Sequence, residues 1–136
     1  MVGPDADTLR TIAERAKAVA AHAYCRYSAF PVGAVVLTDD GALFDGCNVE
    51  NASYGLTICA ERSAVFKMIA AGKRTIAAVV IYTPTAKPTA PCGACRQVIG
   101  EFGPAARIFG ICDGPDTLRE SLADLLPRAF GPSDLG

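Results

Sequence analysis

Three of the six cysteines in this chain are spaced for chemistry. Cys59-Ala60-Glu61 is followed further along by Pro91-Cys92-Gly93-Ala94-Cys95. A Cys-x-x-Cys taken alone fits metal chelation and thiol redox chemistry about equally well. Cys59 shifts the balance. Three thiolates can hold Zn(II) at about 2.3 Å each and leave the fourth tetrahedral position to water, as a catalytic zinc requires and a structural one does not. Glu61, two residues beyond Cys59, would then lie beside the open position without being a ligand. Three thiolates also leave the ion with net negative charge, which blunts its power to acidify bound water. Arg62 lies three residues after Cys59 on the same helix and could offset that by donating hydrogen bonds to the sulfurs. It could equally be a solvated helix residue, and spacing does not choose between the two.

These residues need elements to hold them. Both clusters fall where a helix should begin, and a helix N-terminus stabilises thiolates through free N–H groups and the macrodipole. Between Thr57 and Ala71 the apolar positions Ala60, Ala64, Met68 and Ala71 recur at helical spacing, and Gly72 ends the helix. Gly93 to Phe102 predicts a second helix, closed by Gly103-Pro104. Ahead of both, Leu9, Ile12, Ala13, Ala16, Ala20 and Ala23 predict a helix behind Asp7 as N-cap. Strands are expected over Val32 to Leu37, over Leu43 to Val49 after the Asp40-Gly41 hairpin turn, and over Ile108 to Cys112. Ile76 to Tyr82 is a continuous apolar run, as in a strand covered on both faces. Pro84, Pro88 and Pro91 force a loop. Thr117 to Leu126 fits a helix behind Asp116, or an edge strand before a short turn. This order predicts an α/β fold of three layers, α-β-α, with a central mixed sheet.

Composition narrows the function classes. A chain of 136 residues is expected to form a single catalytic domain over 1–136 and to bury roughly two-thirds of the surface of its unfolded form. At 51% hydrophobic and 20% charged it is excluded from the disordered class, and its apolar surplus points to burial against other subunits. Thirteen basic and fourteen acidic residues give a net charge of -1 with no basic block, which argues against a nucleic-acid partner. Asp5 and Asp7 near the start do not fit a signal peptide, and no window reaches the ~18 to 20 apolar residues of a membrane span. Closely spaced cysteines in such a chain read as metal-binding or catalytic, and the expected location is cytoplasmic, with no membrane partner.

The two cysteine motifs together resemble the zinc signature of the cytidine deaminase superfamily, and more closely that of its small homotetrameric members acting on free nucleosides. The resemblance runs from about Tyr27 to the C-terminus. It takes in Tyr27-Ser28, Phe30-Pro31-Val32-Gly33-Ala34, Gly46-Cys47-Asn48-Val49-Glu50-Asn51-Ala52-Ser53-Tyr54-Gly55 and Leu125-Leu126-Pro127-Arg128-Ala129-Phe130. It implies a five-stranded mixed sheet, one Zn(II) per subunit held by Cys59, Cys92 and Cys95, and hydrolytic deamination of cytidine and 2′-deoxycytidine with release of ammonia. Hydroxide formed at zinc would attack C4 of the ring while Glu61 shuttles protons, the role the glutamate has in zinc deaminases generally. The resemblance also implies that Phe30, Asn48 and Glu50 bind substrate. A phenylalanine offers the pyrimidine a flat face, and Asn48 and Glu50, two apart on an extended segment, point to one side and can bind ribose hydroxyls. A carboxylate at the sugar would repel a phosphate group and favour nucleosides over nucleotides. The backbone of Ala60 could hydrogen-bond the base. Tyr54 and Phe130 are expected near the site by resemblance alone, with Phe130 coming from a neighbouring subunit of the homotetramer.

Plainer readings exist for several of these residues. Phe30 could be core packing and Glu50 a surface charge. His22 reads as an ordinary helix residue, and Cys25, Cys47 and Cys112 as small buried side chains. Two other classes of protein compete. A structural zinc module with Cys47 as fourth ligand leaves Glu61 without purpose, and a thiol oxidoreductase built on Cys92 and Cys95 leaves Cys59 and Glu61 unexplained. Among deaminases the rival is blasticidin S deaminase, which has similar core motifs but which the C-terminal element suits less well.

Overall fold

The computed structural model describes residues 3–136. The chain runs α1 (Ala6–Ala20), β1 (Gly33–Thr38), β2 (Leu43–Cys47), α2 (Ala60–Ala70), β3 (Ile76–Tyr82), α3 (Gly93–Phe102), β4 (Arg107–Ile111), β5 (Leu118–Ser121) and α4 (Leu122–Leu125). The five strands form one mixed sheet in the order β2-β1-β3-β4-β5. β3 and β4 are the parallel pair, joined by the α3 crossover, and the other neighbours are antiparallel.

Side-chain alternation divides the core into two layers. Ala34, Val36, Val79, Ile81 and Ile108 face Ala64, Val65 and Met68 of α2, Ile99 of α3 and Leu122 of α4. Val35, Ala78, Val80, Tyr82 and Phe109 face Leu9, Ile12, Ala16 and Ala20 of α1. β3 is buried at all seven positions, as its unbroken apolar run requires. Each fully buried Val or Ile contributes on the order of 2 kcal/mol, so the centre of the sheet is the most strongly held part of the molecule. The three-layer α/β arrangement is therefore the one expected.

Two glycines let the helices approach this sheet. A Cβ on Gly33 would stand 1.8 Å from the Ala16 carbonyl oxygen of α1, and one on Gly46 would stand 2.4 Å from the Ala64 nitrogen of α2. Gly46 thus sets how close α2, with Cys59 and Glu61 at its start, lies to the edge strand.

Several boundaries differ from the expected ones. α1 is capped by Asp5, whose carboxylate accepts the Thr8 N–H at 2.8 Å, while Asp7 sits in the first turn beside Arg10. Ala23 lies beyond the helix. β2 ends at Cys47 because Asn48 turns its side chain back to the chain at Phe30 and Val32. β4 is displaced one residue earlier, to Arg107–Ile111. Over 117–126, β5 pairs with the outer edge of β4 before Ser121 caps the single turn α4 through the Asp124 N–H. The open edge of β4 decides this, since a strand there satisfies backbone groups that a helix would leave unpaired.

Asp45 on β2 ties the edge strand to both helical layers, accepting from Lys67 of α2 at 2.5 Å and Arg15 of α1 at 3.1 Å. The Lys67 hydrogen bond, then that of Arg15, holds its carboxyl below the ordinary value of 3.8 despite partial burial. A carboxyl lowered by folding contributes stability that is complete above its unfolded value and is lost as pH falls through the folded one. Asp45→Asn should therefore cost about 1 kcal/mol in urea unfolding at pH 7. The gap to wild type should close as pH falls below about 3.8. A gap that persisted there would show that the charge was not its origin.

Candidate active site

The site lies where α2 and α3 begin, at the carboxyl end of β3 and the amino end of the antiparallel β1 beside it. Cys59 is the N-cap of α2 and Cys92 the N-cap of α3, with Cys95 one turn further and fully buried. Free N–H groups at both helix starts favour thiolates there. The three sulfurs lie within 4.8 Å of one another, and those of Cys59 and Cys92 are 3.9 Å apart. A tetrahedral zinc with bonds of about 2.3 Å sets its sulfurs about 3.8 Å apart, so the cluster fits the ion. The sulfurs form a hydrogen-bonded set. Donation from Cys95, and then from Arg62, pulls Cys59 down to about 5, while its bond to Cys59 and burial push Cys95 up.

Arg62 donates from its terminal nitrogen to the Cys59 sulfur at 3.3 Å, the contact that the sulfur-facing reading requires. Its Nε is buried with no hydrogen-bond partner among the described residues. Glu61 is only 5% exposed, and burial, followed by the nearby Cys59 charge, pushes its carboxyl up.

One cavity of about 390 Å³ collects Phe30, Asn48, Glu50, Cys59, Ala60, Glu61 and Cys92. That is within the usual range for small-molecule sites. Asn48 is buried, donating to the Phe30 carbonyl at 2.9 Å and accepting the Val32 N–H at 2.9 Å. The Glu50 carboxylate accepts the Tyr27 and Ser28 N–H groups and the Ser28 hydroxyl. Phe30 is partly exposed at the cavity, not packed in the core.

Tyr54 lies outside this cavity and lines an adjoining one with Tyr27, Ser28, Glu50 and Thr57. It meets Tyr27 edge to face at 5.8 Å. Phe130 is remote from both within the chain. It is 61% exposed and lines a separate cavity of about 440 Å³ with Gln97 and Leu126. Thr83, Thr89 and Ala90 also line the catalytic-side cavity, and the sequence reading did not single them out. The available signal was position, since Thr83 directly follows the carboxyl end of β3 and Thr89 and Ala90 precede the Pro91-Cys92 helix start.

The family model for the cytidine and deoxycytidylate deaminase zinc-binding region matches residues 7–111. The chain belongs to the cytidine and deoxycytidylate deaminase family. A cytidine deaminase of Sporosarcina psychrophila is 44% identical over 130 residues, 95% of each chain, and one of Halalkalibacterium halodurans is 46% identical, covering 83% of this chain and 86% of its own. The structure of cytidine deaminase from Burkholderia pseudomallei is 49% identical, with a TM-score of 0.85 over 89% of this chain and 98% of the other. Cys59, Cys92 and Cys95 are the residues within the matched zinc-binding region that can hold the ion.

Proposed function

We propose that the chain is a zinc-dependent hydrolase that deaminates free cytidine and 2′-deoxycytidine to uridine and 2′-deoxyuridine, releasing ammonia, in cytoplasmic pyrimidine salvage. The observation that carries this reading is the buried Glu61 beside a three-thiol cluster in a cavity of nucleoside size. Zinc, when bound by Cys59, Cys92 and Cys95, lowers the pKa of water and makes a nucleophile available near neutral pH. Glu61 accepts a proton from water and delivers it to N3 of the ring. Water's oxygen bonds to C4; Glu61 then takes the proton that remains on this oxygen and gives it to the amine, so that the C4–N bond breaks, ammonia leaves and C4=O forms. A carboxyl raised by burial can serve as base and then acid, because its affinity for the proton falls between the two tasks.

Binding is divided among the cavity residues. Phe30 packs against the pyrimidine, the Ala60 N–H at the helix start meets the base, and Asn48 and Glu50 take the ribose hydroxyls. Arg62 tempers the charge of the sulfur cluster. The exposed side chains of Tyr54, Leu56 and Phe130 support assembly as a homotetramer, in which Phe130 completes a neighbouring subunit's site. Six free thiols suit a reducing compartment.

The reading is tested by the ultraviolet change of cytidine with zinc-replete protein, run beside cytidine and deoxycytidine monophosphates. Cytidine should turn over, and kcat/KM for the monophosphates should be lower by more than about 100-fold, because Glu50 faces the phosphate with like charge. Turnover of the monophosphate alone would overturn the nucleoside assignment. Silence on all three would overturn the reaction.

A further inference from the structure

We propose that Ser28 is a positioning residue that locks the Glu50 carboxylate to the Phe30 backbone and thereby sets how strongly the site selects for sugar hydroxyls. The inference rests on the nucleoside reading above and assigns a determinant within it.

Glu50 Oε1 accepts the Tyr27 N–H at 2.9 Å and the Ser28 N–H at 3.1 Å, which uses its hydrogen-bonding capacity. Among the described residues, Glu50 Oε2 accepts only the Ser28 hydroxyl, which leaves it a second lone pair. A hydroxyl has a single proton. That of Ser28 is committed to Glu50, while its oxygen accepts the Phe30 N–H at 3.1 Å. The Phe30 carbonyl in turn accepts from Asn48 Nδ2, and Asn48 Oδ1 accepts the Val32 N–H. Phe30, distant in sequence from Asn48 and Glu50, is thus joined to both by a run of hydrogen bonds with Ser28 at its centre. Ser28 and Glu50 border both the main cavity and the adjoining one.

The backbone is bent to make this possible. Ala29, between Ser28 and Phe30, has φ of 55°, a left-handed conformation uncommon for a residue with a Cβ, and its N–H is held by the Cys25 carbonyl at 2.7 Å. That turn is what allows one serine to reach Glu50 with its hydroxyl proton and Phe30 with its lone pair. The same donors, the Ser28 hydroxyl first, keep the Glu50 carboxyl below its ordinary value of 4.5. An ionised acceptor with one open lone pair at a fixed angle suits a sugar hydroxyl, and it offers nothing to a ligand that lacks one.

Ser28→Ala keeps both backbone N–H donors to Glu50 but removes the hydroxyl that orients Oε2. The test compares zinc-loaded wild type, Ser28→Ala and Ser28→Thr for kcat and KM on cytidine, and for inhibition constants of uridine and 2′,3′-dideoxyuridine. Ser28→Ala should raise the cytidine KM and the uridine inhibition constant by about tenfold, with kcat changed far less, since one charge-assisted hydrogen bond is lost. Dideoxyuridine inhibition should move by less than about twofold, because that ligand has no ring hydroxyl for Glu50 to take. Ser28→Thr, which keeps the hydroxyl, should restore most of the loss. Equal weakening of uridine and dideoxyuridine would overturn the proposal and leave Ser28 as general support for its loop. No weakening of either would overturn it too. A wild type inactive on cytidine would instead bring down the nucleoside reading, and this assignment with it.

Discussion

Glu61→Gln should lower cytidine turnover by about four orders of magnitude while zinc content and assembly stay unchanged. The size follows from the two tasks that the proposed reaction gives to one carboxyl. Glutamine fills nearly the same volume in the buried position, so packing around Ala64 and Val65 of α2 should hold. What is lost is the ability to take a proton from water and hand it on, first to the ring and then to the amine. General acid–base assistance contributes up to about 10⁴-fold, and a residue used twice belongs at the upper end. Steady-state turnover measured beside metal analysis separates this from damage to the cluster. Near-normal activity in the variant would remove Glu61 from the mechanism.

The second large effect is expected at Cys95. Cys95→Ala should reduce zinc affinity by more than about 100-fold and abolish turnover, since losing a ligand costs more than losing the groups that orient one. Cys95 is fully buried one turn inside α3, so the same change should also lower stability, by about 1 kcal/mol for the lost packing. Cys92 is exposed at the N-cap, and Cys92→Ala should lose zinc and turnover equally with little change in stability. Metal titration with a chromogenic chelator, alongside urea unfolding of the metal-free proteins, reads both quantities. Retained stoichiometric zinc in either variant would exclude that cysteine as a ligand. It would also revive a closed structural site with a different fourth thiol.

Much of the scaffold was legible in the residues. β3 is the longest unbroken apolar run, and α3 is bracketed by Cys92 and Gly103-Pro104; both occupy the expected residues. Such segments are read well because burial on two faces, or a stop signal at each end, leaves few alternatives. Strand ends and the choice of cap were less legible. Asp5 and Asp7 are chemically equal as N-caps, and the docking of α1 on the sheet decides between them. The segment after Asp116 satisfies helical and extended patterns alike, and the unpaired edge of β4 selects the strand.

The site divides along the same line. Residue type and spacing pointed to Cys59, Cys92 and Cys95 as thiols able to hold Zn(II) with Glu61 beside them, and the family resemblance favoured that reading over a redox pair or a closed structural site. Arg62 needed the folded helix. Only there does its guanidinium meet the Cys59 sulfur, since a rotamer choice on α2 decides between solvent and thiolate. The same is true of the run from Glu50 through Ser28 to Phe30 and Asn48. Its members come from a loop with left-handed Ala29 and from the segment after β2, and no local pattern records that their donors and acceptors will meet. Local sequence determined which chemistry the chain can carry. Long-range packing decided which lone pairs and which faces are presented to a ligand, because those depend on contacts between segments that are far apart in the chain.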